Sequence, residues 1–385
     1  MTEKEVIYAD NAATSILSEK AVESMLPYFN HLYGNPSSRH LMSKGPNSAL
    51  RDARSLISNC INCDESEIYF TSGGTESDNW ALRGIMEDSL NKHMITSSIE
   101  HPAIIETCKY LQSKGVDVDY VKVDSKGIVD IDELTKKIRH DTVLVSIMHV
   151  NNELGTIQNI KEISKIVHSR GILLHTDAVQ SIGHIPINVK DMGVDLLSAS
   201  GHKFNGPKGV GFLFCSKKVN IKPLLFGGHQ QQSLRAGTEN IPGIVGMAVA
   251  LSDNVNHMNE NMKHIEEMES MIVDKLKQSK IDCVFNGDQL RKIPGIISVS
   301  FRKITGEAIT DILSMKNICV STGSACNSKT QSISHVLTSI GLGEDYIHGT
   351  IRISLGKYNT MEEAIIISDS IIELVKTITS QVVKR

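Results

Sequence analysis

Between residues 67 and 215 this chain alternates short, nearly continuous apolar runs with amphipathic stretches of helical period. Few folds are compatible with that alternation. The runs 67–72, 93–98, 116–123, 142–150, 172–178, 195–199 and 210–215 read as seven strands. Several lack polar alternation, as strands do when both faces of a largely parallel sheet are covered. Between them, Ile160, Ile163, Ile166 and Val167 line one helical face, and Gly171 follows as a stop. Asp130 with Glu133, and Asn159 with Glu162, have the spacing of N-terminal capping pairs. The expectation is an α/β layer architecture around a mostly parallel seven-stranded sheet.

Beyond residue 255 the texture changes. A long polar helix over 256–277 leads to shorter strands at 296–301 and 351–355, then a helix over 361–377. The expected division is a large domain of residues 15–255 and a smaller α+β domain of residues 1–14 and 256–385.

Bulk properties exclude several functions. A net charge of -4 over 385 residues gives no basic field for direct nucleic-acid binding. Lys136, Lys137 and Arg139 read as one solvated helix face. No run approaches the roughly 18 apolar residues of a membrane span. The charged opening Thr2-Glu3-Lys4-Glu5 precedes no secretory apolar region. The cysteines Cys60, Cys63, Cys108, Cys215, Cys283, Cys319 and Cys326 are scattered, which suits free thiols in a reducing compartment. The cytoplasm is the expected location.

In parallel α/β sheets ligands gather at the carboxyl ends of the strands. Here those ends carry chemistry. The first is Thr71-Ser72-Gly73-Gly74-Thr75-Glu76, where glycines permit close approach and a helix start favours a phosphate. The others are Glu100-His101, Asn151-Asn152-Glu153, Asp177 with Gln180, and Ser200-Gly201-His202-Lys203. One polar strand end is usually a cap or a satisfied core contact, but complementary groups at five neighbouring ends are not explained that way. The set fits pyridoxal 5′-phosphate. Lys203 supplies an amine for its aldehyde, and Asp177 a carboxylate that keeps the pyridine nitrogen protonated. Gly74, Thr75, Ser200 and His202 supply a phosphate cradle. Neither a Walker loop nor a dinucleotide fingerprint is present. Cys60 and Cys63 have metal spacing but no second such pair, so no metal site is expected.

The segments Asp177-Ala-Val-Gln180 and Ser200-Gly-His-Lys203 stand in order with Asp10-Asn-Ala-Ala-Thr14, Asn35-Pro-Ser-Ser38, Thr71-Ser-Gly-Gly-Thr75 and Ser98-Ile-Glu-His101. Arg235-Ala-Gly-Thr238, Ser321-Thr-Gly-Ser-Ala-Cys326 and Ile351-Arg352-Ile-Ser-Leu-Gly356 complete the series. In this, from about residue 7 to 360, the chain resembles the NifS/IscS-like cysteine desulfurases. The resemblance implies the fold of aspartate aminotransferase, and a homodimer with sites at its interface.

It also implies roles. Lys203 carries the cofactor and removes the substrate Cα proton, Asp177 pairs with the ring nitrogen, and Gln180 hydrogen-bonds the ring hydroxyl. His101 stacks on the ring and shuttles protons. Gly74, Thr75, Ser200 and His202 lie at the phosphate, with Thr238 reaching over from the other subunit. Asn152 and Arg352 hold the carboxylate of L-cysteine. Cys326, in a small polar stretch that reads as a loop, takes the sulfur as a persulfide and leaves L-alanine. An iron–sulfur scaffold or a tRNA-thiolation enzyme then accepts the sulfur. Two alternatives stay open: a selenocysteine lyase, and a non-catalytic sulfur-relay protein that keeps the fold. The joint presence of Lys203, Asp177, His101 and Cys326 speaks against the second.

Overall fold

The computed structural model describes residues 6–87, 91–322 and 333–382 of the chain. A seven-stranded sheet forms its centre. Its strands are β2 (Ile68–Thr71), β3 (His93–Ser97), β4 (Asp117–Val121), β5 (Thr142–Ser146), β6 (Leu173–Asp177), β7 (Leu196–Ser200) and β8 (Gly211–Cys215). The spatial order is β2-β8-β7-β6-β5-β3-β4, and β8 alone runs against its neighbours.

The apolar runs lack alternation because successive side chains enter two different cores. Ile95, Val145, Leu197 and Phe212 join one cluster with Ile57 and Met247. Their neighbours Met94, Leu144, Leu196 and Leu213 join another with Trp80 and Leu82. Every strand runs out at or within a few residues of its expected end. The 142–150 run is regular strand only to Ser146, yet its hydrogen bonding to the neighbouring strand continues. The Ile147 and His149 amides donate to the His175 and Asp177 carbonyls at 3.1 and 2.8 Å. This extension carries residues 148–153 over the carboxyl edge of the sheet.

The helix caps divide. Asp130 accepts the Glu133 amide at 2.9 Å and starts the Ile131–Lys137 helix. Asn159 stands at the N-cap of the Ile160–His168 helix without capping it. Its side-chain NH₂ donates instead to the Glu162 carboxylate at 2.6 Å, and no backbone amide of the first turn donates to its oxygen.

A second, antiparallel sheet has the order β12 (Ser321–Thr322), β13 (Thr350–Ser354), β10 (Ile296–Phe301), β9 (Cys283–Phe285). The Met258–Gln278 and Met361–Val382 helices cover it, burying Ile265, Met268, Ile272, Ile367 and Ile371 against Val299, Ile351 and Ile353. The chain start returns to this unit. β1 (Ile7–Tyr8) pairs in parallel with β11 (Ile318–Cys319), and Asp10 bridges to Ser354. Among the described residues no helix is long and apolar enough to cross a membrane.

Candidate active site

Five strand ends of the central sheet meet at one cavity of about 370 Å³. Ten of the residues singled out above line it: Gly74, Thr75, His101, Asn152, Asp177, Gln180, Ser200, His202, Lys203 and Arg352.

At the end of β2 the Gly74–Met86 helix begins without a side-chain cap, so its first amides are open to an anion. A Cβ on Gly74 would stand 2.6 Å from Val179 Cγ2 and 3.5 Å from Ser200 Cβ. Glycine is therefore required for the backbone to come this close. Thr75 is exposed at the rim.

After β7 comes the Lys203 amine, which donates to the Ala12 and Ala13 carbonyls at 2.6 and 2.9 Å. His202 Nδ1 lies 3.1 Å from Thr14 Oγ1. Burial, then Lys203 and Lys208, push the His202 imidazole down to about 4, so it is neutral at pH 7.

Asp177 ends β6. Its carboxylate accepts the Val179 amide at 2.9 Å. Burial lifts it to about 6, opposed by that hydrogen bond and by Lys203. Gln180 donates to the Ala12 carbonyl at 2.9 Å, so Gln180 and Lys203 share one acceptor. Below Asp177, His175 is held by Ser146 at 2.9 Å and Ser198 at 3.0 Å. Asp78 lies beside it, fully buried, with Oδ1 lacking a hydrogen-bond partner. Burial first, and the Asp177 charge second, hold Asp78 well above the usual carboxylate range.

Beyond β3, Glu100 Oε1 accepts from Ser97 Oγ at 2.6 Å and from the Met148 amide at 2.9 Å. Its Oε2 is buried without a partner, and burial lifts the acid to about 8. His101 Nδ1 accepts the Ala103 amide at 3.1 Å and starts the Pro102–Ser113 helix. Burial, then Lys203 and His335, push this ring down to about 4. It is neutral at pH 7, and its accepting Nδ1 assigns the proton to Nε2.

Beyond β5, Asn151 fixes the turn. It accepts the Glu153 and Leu154 amides, each at 2.9 Å, and donates to the Ile99 carbonyl at 3.0 Å. The Asn152 carbonyl takes one Arg352 Nη at 2.9 Å, and Asp10 takes the other at 2.8 Å. Arg352 is 2% exposed and its Nε has no partner. The remaining guanidinium hydrogens suit a carboxylate.

The residues fit pyridoxal phosphate on three observations. The uncapped helix start at Gly74 wants an anion, the buried Asp177 wants a cation, and Asp78 and Glu100 leave buried oxygens with unspent hydrogen-bonding capacity. Thr238 is exposed and is not among the residues lining the cavity. Cys326 lies outside the described residues. Among the other thiols, burial lifts Cys60 to about 11 and Cys63, Cys108 and Cys215 to about 12, so these four are protonated at pH 7.

Sequence reasoning missed Asp78, the Ala12 and Ala13 carbonyls, and His335, which also lines the cavity. It quoted Glu100 and Glu153 without giving them a role. A carboxylate beside an apolar residue at a strand end was a usable signal for both. A backbone acceptor contributed by an alanine carries none.

The aminotransferase class-V family model matches residues 7–365. A cysteine desulfurase IscS of Methanosarcina thermophila is 45% identical over 383 residues, covering 99% of this chain and 93% of the relative. A second, from Dictyoglomus turgidum, is 42% identical over 381 residues, covering 98% and 97%. Among solved structures, a NifS-like protein superposes with a TM-score of 0.92 at 40% identity, over 97% of this chain and 100% of its own. The structure described as SspA in complex with cysteine does so at 0.81 and 36%, over 92% and 100%.

Proposed function

The chain belongs to the aminotransferase class-V family and, within it, to the pyridoxal-phosphate-dependent cysteine desulfurases, and we propose that it moves sulfur from L-cysteine onto Cys326. The observation that carries this reading is the meeting of Lys203, Asp177 and an uncapped helix start at one cavity that also holds the buried Arg352.

Pyridoxal phosphate, when bound, supplies an electron sink that stabilises negative charge at the substrate Cα. The chain does the rest. Gly74, Thr75, Ser200 and His202 hold the phosphate, Asp177 holds the ring-nitrogen proton, and Gln180 turns its amide to the ring hydroxyl. Arg352 and Asn152 bind the substrate carboxylate and so aim Cα at the Lys203 amine, which takes the Cα proton. His101, neutral at pH 7 and lining the cavity, would pass protons. The Cys326 thiolate bonds to the substrate Sγ while the Cβ–Sγ bond breaks with its electron pair left on carbon. The new methyl group takes the proton that the substrate thiol gave up and Lys203 returns the Cα proton, so L-alanine leaves and Cys326 keeps a persulfide.

The molecular setting follows the same reading. Residues 15–255 form the cofactor domain, and 1–14 with 256–385 form the smaller one, an assignment supported by their separate sheets and cores. A second copy of the chain covers the exposed side chains of Phe226 (87%), Leu41 (75%) and Tyr33 (67%), and brings Thr238 to the neighbouring phosphate. An iron–sulfur scaffold or a tRNA-thiolation enzyme takes the sulfur. The six described cysteines are all free, which supports a reducing, cytoplasmic setting.

Borohydride reduction of the loaded protein should fix the cofactor to the peptide containing Lys203. L-Cysteine without reductant should add one sulfur to the peptide containing Cys326, seen by mass spectrometry and removed by dithiothreitol. Cys326→Ala should still change absorbance with L-cysteine but make almost no alanine. Wild-type alanine production by that variant would replace this reading with a lyase.

A further inference from the structure

The His335–Ser339 helix follows the Cys326 stretch in sequence, and three hydrogen bonds hold it to the strand ends. Ser334 Oγ donates to Glu153 Oε2 at 2.6 Å, His335 Nε2 meets the Glu100 carbonyl at 2.9 Å, and Ser339 Oγ donates to the Ser98 carbonyl at 3.2 Å. Ser334 has a second task. Its oxygen accepts the Val336 and Leu337 amides at 3.1 and 3.4 Å, so one hydroxyl both starts the helix and ties it to Glu153. Beneath, Val336, Leu337 and Ile340 pack on Ile99, Met148 and Leu154.

The acceptor chosen for Ser334 is costly. Glu153 is 5% exposed, and burial lifts its acid to about 7, with Ser334 and Arg352 opposing. A backbone carbonyl would anchor a serine as well without burying a carboxyl group. What Glu153 adds is location. It lines the cavity directly after Asn152, whose carbonyl holds the Arg352 guanidinium. One short turn therefore touches both the arginine for the substrate carboxylate and the first turn of the helix that follows Cys326.

Resting on the reading of Cys326 as the sulfur-accepting nucleophile, we propose that the Ser334–Glu153 hydrogen bond is a positioning contact for sulfur transfer. It fixes the point at which the chain leaves the Cys326 stretch relative to the turn that holds the substrate. Ser334 and Glu153 act through Cys326 and perform no step themselves. Their loss slows the attack on Sγ while leaving cofactor loading and L-cysteine binding alone.

Three substitutions test this. Ser334→Asp keeps a capping oxygen but sets a carboxylate against Glu153 in place of a donor. Glu153→Ala removes the acceptor, and Glu153→Gln keeps a carbonyl in its place. Absorbance titrations should give wild-type affinities for pyridoxal phosphate and L-cysteine in all three. After a single mixing with L-cysteine, sulfur should reach the Cys326 peptide about tenfold more slowly in Ser334→Asp and Glu153→Ala. Glu153→Gln should recover to within about threefold of wild type, because a neutral acceptor still takes the serine proton. Combining Ser334→Asp with Glu153→Ala should cost little more than either alone, as expected of two halves of one contact. Slow amide exchange at Val336 and Leu337 in Ser334→Asp shows that the helix stands; if it does not, the Glu153 pair decides. Wild-type transfer rates in Ser334→Asp and Glu153→Ala overturn the proposal, as does a loss of L-cysteine affinity that tracks the lost rate. A wild-type protein that puts no sulfur on Cys326 defeats the underlying reading first, and this proposal with it.

Discussion

The cavity gathers acids that burial pushes up and imidazoles that burial pushes down. Glu100 is lifted from 4.5 to about 8. An acid whose folded pKa is raised stabilises the fold while protonated, and that stability is lost as pH rises through the folded value. His101 and His202, lowered from 6.5 to about 4, work oppositely, stabilising above 6.5 and losing that as pH falls. Between pH 6.5 and 8 the histidine contribution is already complete, so raised acids, Asp78, Glu100 and Glu153 among them, govern the slope. The cofactor-free protein should therefore melt at a lower temperature at pH 8 than at pH 6.5. Glu100→Gln, uncharged throughout, should make that slope shallower by Glu100's share. A thermal scan across this range showing an unchanged slope in the variant would mean that Glu100 is already ionised.

Among the elements, the Gly74–Met86 helix makes the sharpest demand on sequence. Gly74→Ala places a methyl 2.6 Å from Val179 Cγ2, in the cradle expected for the phosphate. Cofactor affinity should fall by about tenfold, and Val179→Ala should restore much of it by removing the opposing methyl. Equilibrium dialysis of both variants checks the pair. The seven strands were legible in sequence because burial on both faces leaves an apolar run that no surface element imitates. The polar strand ends were legible because Lys203, Asp177 and His101 have side chains with chemistry to read. The Ala12 carbonyl was not, since any residue offers one and only the fold brings it 2.6 Å from Lys203. The Ser334 contact was hidden for a related reason. Its partner Glu153 is far away in the chain, and no local period points across such a gap. Asn159 failed as a cap because sequence shows the right residue at the right position but not which acceptor its amide meets.

At the scale of the molecule, smaller apolar clusters join the two units, one packing Val336 and Leu337 on Ile99 and Met148 and another Ile293 and Ile296 on Val150 and Ile185. The 26–42 and 225–239 segments border an open hollow whose lining includes Pro36, Arg54, Gln230 and Glu239. With Phe226 and Leu41 exposed nearby in sequence, this is the face expected to receive the second copy. Sedimentation should show a dimer, and Phe226→Asp should shift it towards monomer while weakening cofactor retention through loss of the partner's Thr238. A monomeric wild type that binds the cofactor tightly would remove Thr238 from the phosphate site.

The pairing of Asp10 with Arg352 closes the chain almost end to end, at 2.8 Å, and Asn11 donates its amide to the Ser354 carbonyl at 3.0 Å. Synthesis on the ribosome runs in one direction, and this geometry makes it matter. Asp177 and Lys203 emerge while the strand bearing Arg352 has yet to be made, so the half that reacts with amines is present before the half that chooses among them. Long-range pairing of this kind is also among the slowest steps in folding. A nascent chain has no arginine clamp until the Thr350–Ser354 strand has been made and has met the chain start.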